Sequence, residues 1–510
     1  MIRVSPELSS DNHRASVLEA RPAGIDTYQE PVIYMRADCP VCRSEGFESQ
    51  SRVRVTNGDR TFVATLNIVR GDWLGHGEAG LSEAAWKLVG SEVPTPVTLS
   101  HADPVESFRH VRAKLFGHAM SDTELSDIVA DIADRRYSDV QLSAFLAACV
   151  GERLTEDEVV SLTRSMVDTG ERLQWAYDTV LDKHCVGGLP GNRTTPIVVA
   201  VAAAAGVIMP KTSSRAITSP AGTADVMETL TRVDLALDDM KRVVEREGGC
   251  LAWGGAIDLS PADDILIRVE RALDLDSEAQ LVASVLSKKI AAGSTHAVID
   301  IPLGPTAKVR DRSAADRLQK LLISTGARLG LDTRVVITDG NQPVGRGIGP
   351  ALEARDVLAV LQCEPDAPRD LRKRALYLAG EVLELGGSAH SGQGENLAAS
   401  ILDGGQAWSK FQAICEAQGG MRTPPVARHR HSVVAERSGS VSRIDNRRLA
   451  KVAKLAGAPT DPSAGIDLYV SVGDVVDADA PVMSVHAGSP GELAYALAYL
   501  ADQADLITIV

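Results

Sequence analysis

The sequence has few aromatic residues and no concentrated run of positive charge. Aromatic side chains make up 4% of the 510 residues, which leaves little material for a surface on which nucleic-acid bases could stack. Asp and Glu number 68 against 53 Lys and Arg, so the formal net charge is −15 at pH 7. No Lys- or Arg-rich stretch offsets that charge, and we therefore expect no nucleic acid as a partner.

Long apolar segments and paired cysteines are also missing. The longest apolar run, Ile197 to Met209, is shorter than the ~20 residues that a membrane-spanning helix needs. The first residues are polar and lack the apolar core of an export signal. Seven scattered cysteines do not form a disulfide framework. These absences predict a cytoplasmic protein without a membrane partner.

The hydrophobic patterning predicts an α/β protein with four modules. A helical domain and a large α/β domain with a mixed or parallel sheet are flanked by small β-rich domains at both ends. In the first module, Asn57-Gly58 between two alternating segments predicts a hairpin. The predicted modules are a β-rich N-terminal module (1–100), a helical domain (101–175 with 262–292), a central α/β domain (176–261 with 293–345) and a C-terminal α+β domain (346–510).

A glycine-rich segment from Asp182 to Thr195 contains the largest number of residues that could bind a ligand or take part in a reaction. It reads Asp-Lys-His-Cys-Val-Gly-Gly-Leu-Pro-Gly-Asn-Arg-Thr-Thr, after a predicted strand at Thr179–Leu181 and before a helix. Glycines allow close approach of the backbone, and a helix N-terminus offers free N–H groups to an anion. With the charge of Lys183, this predicts a phosphate cradle, although the order of residues is not that of a nucleotide P-loop. A plain turn between strand and helix is the alternative.

A second polar segment, from Lys211 to Asp225, follows a predicted strand at Val207–Met209 and precedes another helix. Its first nine residues include five Ser or Thr hydroxyls, Lys211 and Arg215. Loops at the ends of neighbouring strands meet in the crevice where open α/β sheets bind ligands. The alternative, a Ser/Thr turn with a helix cap, accounts for only part of these hydroxyls.

A third segment predicts a helix that begins at a Ser277–Gln280 capping box. Ser284 and Lys288 lie one turn apart on one face, where they could bond to a carbonyl and a ring nitrogen of a heterocycle. Arg268 could join them from the preceding helix, and Asp276 could give or take a proton. A solvated Ser-Lys face is the alternative, and periodicity alone favours it.

Together these segments resemble the thymidine phosphorylase family of nucleoside phosphorylases, in the wider sense that includes the AMP phosphorylases. The family's Asp-Lys-His-Ser-x-Gly-Gly loop reads Asp-Lys-His-Cys-Val-Gly-Gly here, and its Ser-[Gly/Ser]-Arg…Gly-Thr-x-Asp motif begins at Ser213. Thr338 to Gly345 and Gly405 to Gly420, with Lys410 and Gln418, also resemble the family. The similarity runs from about residue 105 to the C-terminus. The N-terminal module, Pro190-Gly-Asn and the 214–219 run look most like the AMP phosphorylase branch.

The resemblance implies roles for specific residues. The expected phosphate ligands are Lys183, Thr195, Ser213 and Thr223. The nucleotide branch implies Asp276 as proton donor to the base and a nucleotide site at Gly188, Ser214, Arg215, Ala216, Ile217, Thr218, Ser219, Thr223, Ser284 and Lys308. The thymidine branch implies that Arg268, Ser284 and Lys288 hold the pyrimidine, with His184 near the sugar or base.

Two residues depart from the family pattern, and three other hypotheses stay open. Cys185 replaces a serine and is the weaker donor, and Pro220 removes a backbone N–H. Cys185 with His184 could act as a nucleophile and base, although adjacent residues rarely point at each other. Cys39-Pro-Val-Cys42 could bind a metal, but no second pair follows at zinc spacing. A non-catalytic nucleotide-binding protein is the most distant hypothesis.

The resemblance therefore implies a pentosyltransferase. The favoured reaction is thymidine phosphorolysis, which releases the free base and a (deoxy)ribose 1-phosphate. The alternative is an AMP-type phosphorylase, for which Lys308 or Arg215 could supply the cation that a 5′-phosphate needs. The expected partners are a nucleoside or nucleoside monophosphate and inorganic phosphate as co-substrate, with no metal and no cofactor, in a homodimer or larger homo-oligomer.

Overall fold

A computed structural model describes residues 17–151, 153–216, 219–257, 259–273, 275, 277–503 and 505–510. The chain forms two compact units, residues 1–148 and 149–510. Among the helices in the described ranges, none combines the length and apolar character needed to cross a membrane. The predicted α/β fold class, with a helical bundle domain and an α/β domain, is confirmed. The boundaries of the four modules stay a prediction.

The first unit begins with a closed barrel of six strands in the order β1-β5-β2-β4-β3-β6. Asn57 pairs with Arg60 across a two-residue turn, and Gly58 has a φ of 55°, so the predicted hairpin is confirmed. The barrel elements are β1 (Val17–Pro22), β2 (Val32–Arg36), α1 (Pro40–Ser44), β3 (Arg52–Asn57), β4 (Arg60–Val69), β5 (Glu78–Leu81), α2 (Glu83–Val89) and β6 (Thr95–His101).

Three helices follow the barrel. Ser121 closes a reciprocal capping box with Glu124 at the start of the second of them. The helices are α3 (Phe108–Leu115), α4 (Asp122–Ala133) and α5 (Asp139–Cys149).

The second unit is built around parallel strands. Three of them pair in the order β11-β10-β7, and two pair as β8-β9. The Leu181 N–H donates to the Ile208 carbonyl at 2.9 Å, which brings the two groups of strands side by side. The strands are β7 (Leu181–Cys185), β8 (Met209–Ser213), β9 (Gly249–Trp253), β10 (His296–Leu303) and β11 (Asp332–Asp339).

Helices surround these strands, and one is buried on every side. Residues 195–203 of α7 are all buried, as expected of a helix that is apolar all round. Thr155 caps the start of α6, which packs on α11. The helices are α6 (Glu156–Asp168), α7 (Thr195–Ala204), α8 (Thr223–Glu228), α9 (Leu237–Glu247), a 3-10 turn (Gly254–Ala256), α10 (Pro261–Leu273), α11 (Glu278–Ala291), α12 (Arg312–Arg328), α13 (Pro350–Leu361), α14 (Arg369–Leu385), α15 (Gly394–Asp403) and α16 (Gln406–Ala417).

The C-terminal region has two small antiparallel sheets around one apolar core. Their strand orders are β12-β15-β17-β13 and β16-β14-β18. The elements are β12 (Gly347–Ile348), β13 (His429–Val434), β14 (Gly439–Ile444), α17 (Asn446–Leu455), β15 (Gly465–Leu468), β16 (Val475–Val476), β17 (Pro481–Ala487), α18 (Pro490–Ala501) and β18 (Ile507–Ile509).

Two strands of the α/β domain begin later than predicted. The pattern placed them at Thr179–Leu181 and Val207–Met209, whereas β7 and β8 begin at Leu181 and Met209. The buried charges Asp182, Lys183 and Lys211 interrupt the apolar pattern, so these residues looked like loop. The polar residues at the start of each motif therefore lie on strands, which hold them more rigidly than loops would.

Candidate functional site

Lys183 is a buried cation at the end of β7. Its side chain is 1% exposed, and its Nζ donates to the Thr194 Oγ1 at 2.8 Å. Thr194 is the residue immediately before α7. Among the described residues no carboxylate lies within ion-pair distance of Lys183, and burial lowers the pKa of its ammonium. A buried cation that bonds only a neutral hydroxyl is one that an incoming anion would stabilise.

Side chains of β7 alternate between two environments, because successive residues of a strand point to opposite faces. Lys183 and Cys185 share one face. Asp182 and His184 share the other, where the Asp182 carboxylate is paired with two buried ammonium groups. These are Lys211 Nζ at 3.0 Å and Lys289 Nζ at 2.7 Å. Burial opposes ionisation of Asp182, but the two lysines hold its pKa below the ordinary value.

His184 is a neutral imidazole in this setting. Its pKa is held well below the ordinary value, first by burial and then by the positive charges of Lys289, Lys211, Lys288 and Lys183. It can therefore accept a hydrogen bond on one ring nitrogen and donate from the other at neutral pH. Lys288 belongs to the third predicted segment and His184 to the first. The Lys288 charge contributes to the lowered pKa of His184, so the two segments lie close enough to interact.

Cys185 has the character of a thiol rather than a thiolate. Burial, aided by the charge of Asp300, raises its pKa to about 12. Its Sγ accepts a hydrogen bond from the Asn192 Nδ2 at 3.4 Å, and it points to the face opposite His184. A nucleophilic cysteine needs a low pKa and an adjacent base, so this geometry disfavours the Cys185–His184 nucleophile hypothesis.

The glycines of the first loop are required by close contacts with the backbone. A Cβ at Gly188 would overlap the backbone of Lys308, and one at Gly191 would overlap the carbonyl of Val344. Both have positive φ. Gly188 and Lys308, two of the predicted nucleotide ligands, are therefore neighbours. Gly187 faces open space, because a Cβ there would meet nothing within 4 Å.

Arg193 joins the two predicted phosphate loops, and sequence reasoning assigned it no role. Its Nη1 donates to the Thr223 Oγ1 at 2.7 Å, and its Nη2 donates to the Ala221 carbonyl at 2.9 Å. Its Nε donates to the buried Glu353 of α13 at 2.8 Å. Burial raises the pKa of Glu353 to about 7, although the Arg193 charge opposes that shift. Thr223 thus accepts from Arg193 and keeps its own hydrogen for another acceptor.

The second loop folds back on the start of α8. The Asp225 carboxylate accepts from the Ala216 N–H at 2.6 Å and from the Gly222 N–H at 2.8 Å. Ser214 contributes its carbonyl to the Ala224 N–H, and the Ser219 Oγ donates to the Ala221 carbonyl at 2.9 Å. Ile217 and Thr218, two predicted ligands, lie outside the described residues. Asp225 therefore shapes the loop, a role that the sequence did not predict.

Arg215 and Ser213 differ in what they leave available to a ligand. Arg215 forms ion pairs with Glu228 at 2.5 Å and Asp225 at 3.5 Å, and it lies over the Trp253 ring at 4.7 Å. Its charge is thus largely partnered inside the protein. The Ser213 Oγ, at the end of β8, is buried and has no hydrogen-bond partner among the described residues. Thr195, the first residue of α7, is also buried.

The third segment meets an acidic side chain that the sequence did not single out. Asp263, fully buried on α10, accepts from the Ser284 Oγ at 3.0 Å and pairs with the Lys288 Nζ at 2.5 Å. Burial alone would lower the pKa of Lys288, but the Asp263 charge raises it. Arg268 lies on α10 as well, whereas Asp276, the predicted proton donor, lies outside the described residues.

Two later segments that resemble the family support the strands. The Thr338 Oγ1 donates to the buried Asp300 at 2.6 Å, and Asp300 lies opposite Cys185 in the sheet register. The Gln418 side chain accepts from the Leu251 N–H of β9 at 2.8 Å. Lys410 pairs with Glu247 at 3.1 Å, at the end of α9. These contacts join residues that are far apart in the sequence, and they support the strands of the α/β domain.

The cysteine pair of the N-terminal module is buried in the barrel core. Cys39 and Cys42 are both free, and the Cys42 Sγ contacts the Phe47 carbonyl at 3.9 Å. Within the part of the chain that the structure describes, no group of three or more His, Cys, Asp or Glu side chains is arranged to hold a metal ion.

Three family models match this chain. The model described as "Glycosyl transferase family, a/b domain" matches residues 177–408, and "Glycosyl transferase family, helical bundle domain" matches residues 109–170. The model described as "Pyrimidine nucleoside phosphorylase C-terminal domain" matches residues 440–506. Among solved structures, anthranilate phosphoribosyltransferase from Thermus thermophilus aligns with a TM-score of 0.49 and 19% identity, over 60% of this chain and 98% of its own.

Curated relatives are similar over almost the whole length. A Polaromonas sp. (strain JS666) protein named "Putative thymidine phosphorylase" is 62% identical over 493 residues, which is 97% of this chain and 96% of its own. "Putative thymidine phosphorylase 2" of Acidovorax sp. (strain JS42) is 59% identical, over 95% of this chain and 94% of its own. A Legionella pneumophila (strain Paris) protein, "Putative thymidine phosphorylase", is 57% identical, over 96% and 95%. The chain belongs to the thymidine and pyrimidine nucleoside phosphorylase family and is a pentosyltransferase of that family.

Proposed function

We propose that this protein uses inorganic phosphate to cleave the N-glycosidic bond of a pyrimidine nucleoside, with thymidine as the favoured substrate. The products are the free base and a pentose 1-phosphate. The names of the relatives support this proposal. The observation that carries it is the buried Lys183 ammonium, which bonds Thr194 and has no carboxylate partner among the described residues.

The phosphate end of the site follows from Lys183 and its neighbours. The positive end of the α7 dipole lies beside it, at Thr194 and Thr195. The Ser213 Oγ, which has no hydrogen-bond partner among the described residues, and the remaining hydrogen of Thr223 are further donors that a phosphate could use. An anion bound there would satisfy the buried charge and hydroxyls, and it would be held ready to attack.

The base end follows from α11. As the bond between C1′ and the base nitrogen breaks, its electron pair moves to the base, while a phosphate oxygen forms the new bond to C1′. The Lys288 ammonium stabilises the negative charge that builds up on the base, and the neutral His184 can accept or donate a hydrogen bond nearby. The role of Asp276 as proton donor stays a prediction. We propose no cofactor, because this displacement requires neither electron transfer nor an electron sink.

A nucleoside 5′-monophosphate is the alternative substrate. The contact between Gly188 and the Lys308 backbone favours it, because it brings two of the residues implied for the nucleotide branch together. Arg215, the other predicted cation for a 5′-phosphate, is already paired with acidic side chains. Cytoplasmic location and a homodimer or larger homo-oligomer stay predictions.

The Lys183→Ala variant tests the phosphate site. We expect kcat/KM for phosphate to fall by at least about 10²–10³-fold, because removing one charge-stabilising group of this kind costs that much. Lys320→Ala, which removes an exposed lysine on α12, is the matched control and should leave turnover unchanged. Unchanged turnover in Lys183→Ala would remove the assignment of the phosphate site.

A further inference from the structure

Asp263 accepts hydrogen bonds from both predicted base ligands on α11, Ser284 and Lys288. Its Oδ2 accepts from both the Ser284 Oγ, at 3.0 Å, and the Lys288 Nζ, at 2.5 Å. Its other oxygen, Oδ1, is buried and has no hydrogen-bond partner among the described residues. Ser284 and Lys288 are thus the donors that hold this carboxylate, whose side chain is fully buried.

This bonding fixes which group donates and which accepts. A carboxylate paired with an ammonium only accepts, so the single hydrogen of the Ser284 hydroxyl points to Asp263. The Ser284 oxygen can then only accept from a ligand. Lys288 has three hydrogens and uses one on Asp263, so it remains a donor toward a ligand. Both side chains are partly exposed, Lys288 by 27%.

An acceptor beside a donor matches one kind of base edge. Uracil and thymine present a ring N–H next to carbonyl oxygens, so the N–H can donate to Ser284 while a carbonyl accepts from Lys288. Cytosine and adenine present a bare ring nitrogen next to an amino group, which is the reverse order. The bare nitrogen sets acceptor against acceptor at Ser284 for either base, and an amino group in the place of the carbonyl sets donor against donor at Lys288. A buried mismatch of this kind discriminates strongly.

We propose that Asp263 is a positioning residue that determines base specificity, because it holds Ser284 as an acceptor and Lys288 as a donor. This inference rests on the proposed function. It concerns neither the phosphate site nor the chemistry at C1′. Asp263 acts through its two partners and need not touch the substrate.

The Asp263→Asn variant tests the inference with a change of one atom. An amide can donate to the Ser284 oxygen and frees the serine hydrogen, so the acceptor is no longer enforced. The measurements are kcat/KM for uridine and cytidine, KM for phosphate, and binding of free uracil and free cytosine by calorimetry. Asp264→Asn, an exposed neighbour on the same helix, is the matched control. A second variant, Ser284→Ala, removes the acceptor without placing a new group beside Lys288.

We expect the uridine-to-cytidine ratio of kcat/KM to fall at least about tenfold in Asp263→Asn and in Ser284→Ala, with KM for phosphate within twofold of the parent. Asp264→Asn should keep the parental ratio. An unchanged ratio in both test variants, or an equal loss for the two nucleosides, would overturn the inference. If the parent protein phosphorolyses no nucleoside at all, the proposed function fails, and the calorimetric uracil-to-cytosine ratio still decides the role of Asp263.

Discussion

At the scale of single residues, several cations of the candidate site pair with an acidic side chain, whereas Lys183 has no such partner among the described residues. Lys211 pairs with Asp182, Lys288 with Asp263, and Arg215 with Glu228. Lys183 bonds a hydroxyl and has no carboxylate at ion-pair distance in the described ranges. These three cations are thus paired with acidic side chains, and the proposed function assigns Lys183 to the anionic substrate.

Cys185→Ser should strengthen phosphate binding. Residue 185 shares a face of β7 with Lys183, and a hydroxyl is a stronger donor than a thiol. One improved hydrogen bond corresponds to roughly a 3–10-fold lower KM for phosphate. Steady-state kinetics with phosphate as the varied substrate measure this change.

Cys363→Ser is the control for that prediction, because Cys363 is exposed and its thiol donates to the Leu402 carbonyl of α15 at 3.5 Å. It should leave KM for phosphate where it was. A KM that stays the same in Cys185→Ser would show that residue 185 does not contact phosphate.

Sequence reasoning singled out Lys183 from its glycine-rich motif, and Ser284 and Lys288 from their shared face on a predicted helix. It did not find Arg193 as a link or Asp263 as a partner. Arg193 reaches Glu353 across 160 positions, and Asp263 reaches Ser284 across 21. Partners so distant along the chain become visible only when the fold brings them together.

At the scale of elements, the first loop owes its shape to close approaches that only glycine permits. Gly188 and Gly191 lie against the backbones of Lys308 and Val344 with positive φ. The sequence predicted the loop and its glycines, whereas the buried charges at the start of β7 hid the position of the strand. Regular features such as the Ser277 cap of α11 could be predicted because they depend on neighbours within one turn.

Gly188→Ala should disable the loop. The added methyl group overlaps the Lys308 backbone, so the loop must move, at a cost of about 2–4 kcal/mol in the free energy of unfolding. We expect kcat/KM to fall at least tenfold because the predicted ligands around Lys308 move with it. Thermal unfolding and steady-state kinetics measure the two effects.

Gly330→Ala separates backbone strain from overlap. Gly330 has a φ of 79°, close to the 82° of Gly188, but a Cβ there would meet nothing within 4 Å. It should cost only about 1–2 kcal/mol and leave kcat/KM unchanged. Equal behaviour of the two variants would contradict the role given to the close contact.

His486 should make the protein less stable in acid. It is fully buried on β17, where its Nε2 lies 2.8 Å from the Ser484 Oγ. Burial, followed by the charge of Arg430, lowers its pKa to about 4 from the ordinary 6.5. The unfolded chain therefore binds the proton more readily than the folded protein does. The neutral His486 contributes fully to the free energy of unfolding above pH 6.5, and this contribution is lost as pH falls toward 4. The contribution is up to about 3 kcal/mol.

Urea unfolding at pH 7, 6 and 5 compares the parent with His486→Gln. The variant should lose less stability between pH 7 and 5 than the parent does. His431→Gln, an exposed histidine on β13, should retain the parental pH dependence. A parental slope in His486→Gln would show that this buried imidazole does not carry the effect.

At the scale of the whole molecule, an acidic surface is compatible with the proposed phosphate site because Lys183 lies below that surface. The formal net charge is −15, yet Lys183 is 1% exposed and is shielded from bulk solvent. Under the proposed function, attraction for phosphate therefore depends on this buried ammonium and not on the surface field. The order of domains, from the helical bundle through the α/β domain to the C-terminal domain, is that of the matching family models.

The most direct test of the proposed function is to incubate the purified protein with inorganic phosphate and a panel of thymidine, uridine, AMP, CMP and UMP. The released base is identified by chromatography and the phosphate product by phosphorus NMR. We expect thymine and 2-deoxyribose 1-phosphate in equal amounts from thymidine, only when phosphate is present. Base release from AMP alone would contradict thymidine as the substrate and would support the alternative of a nucleoside 5′-monophosphate phosphorylase. Binding of these compounds without any base release would contradict the proposed phosphorolysis.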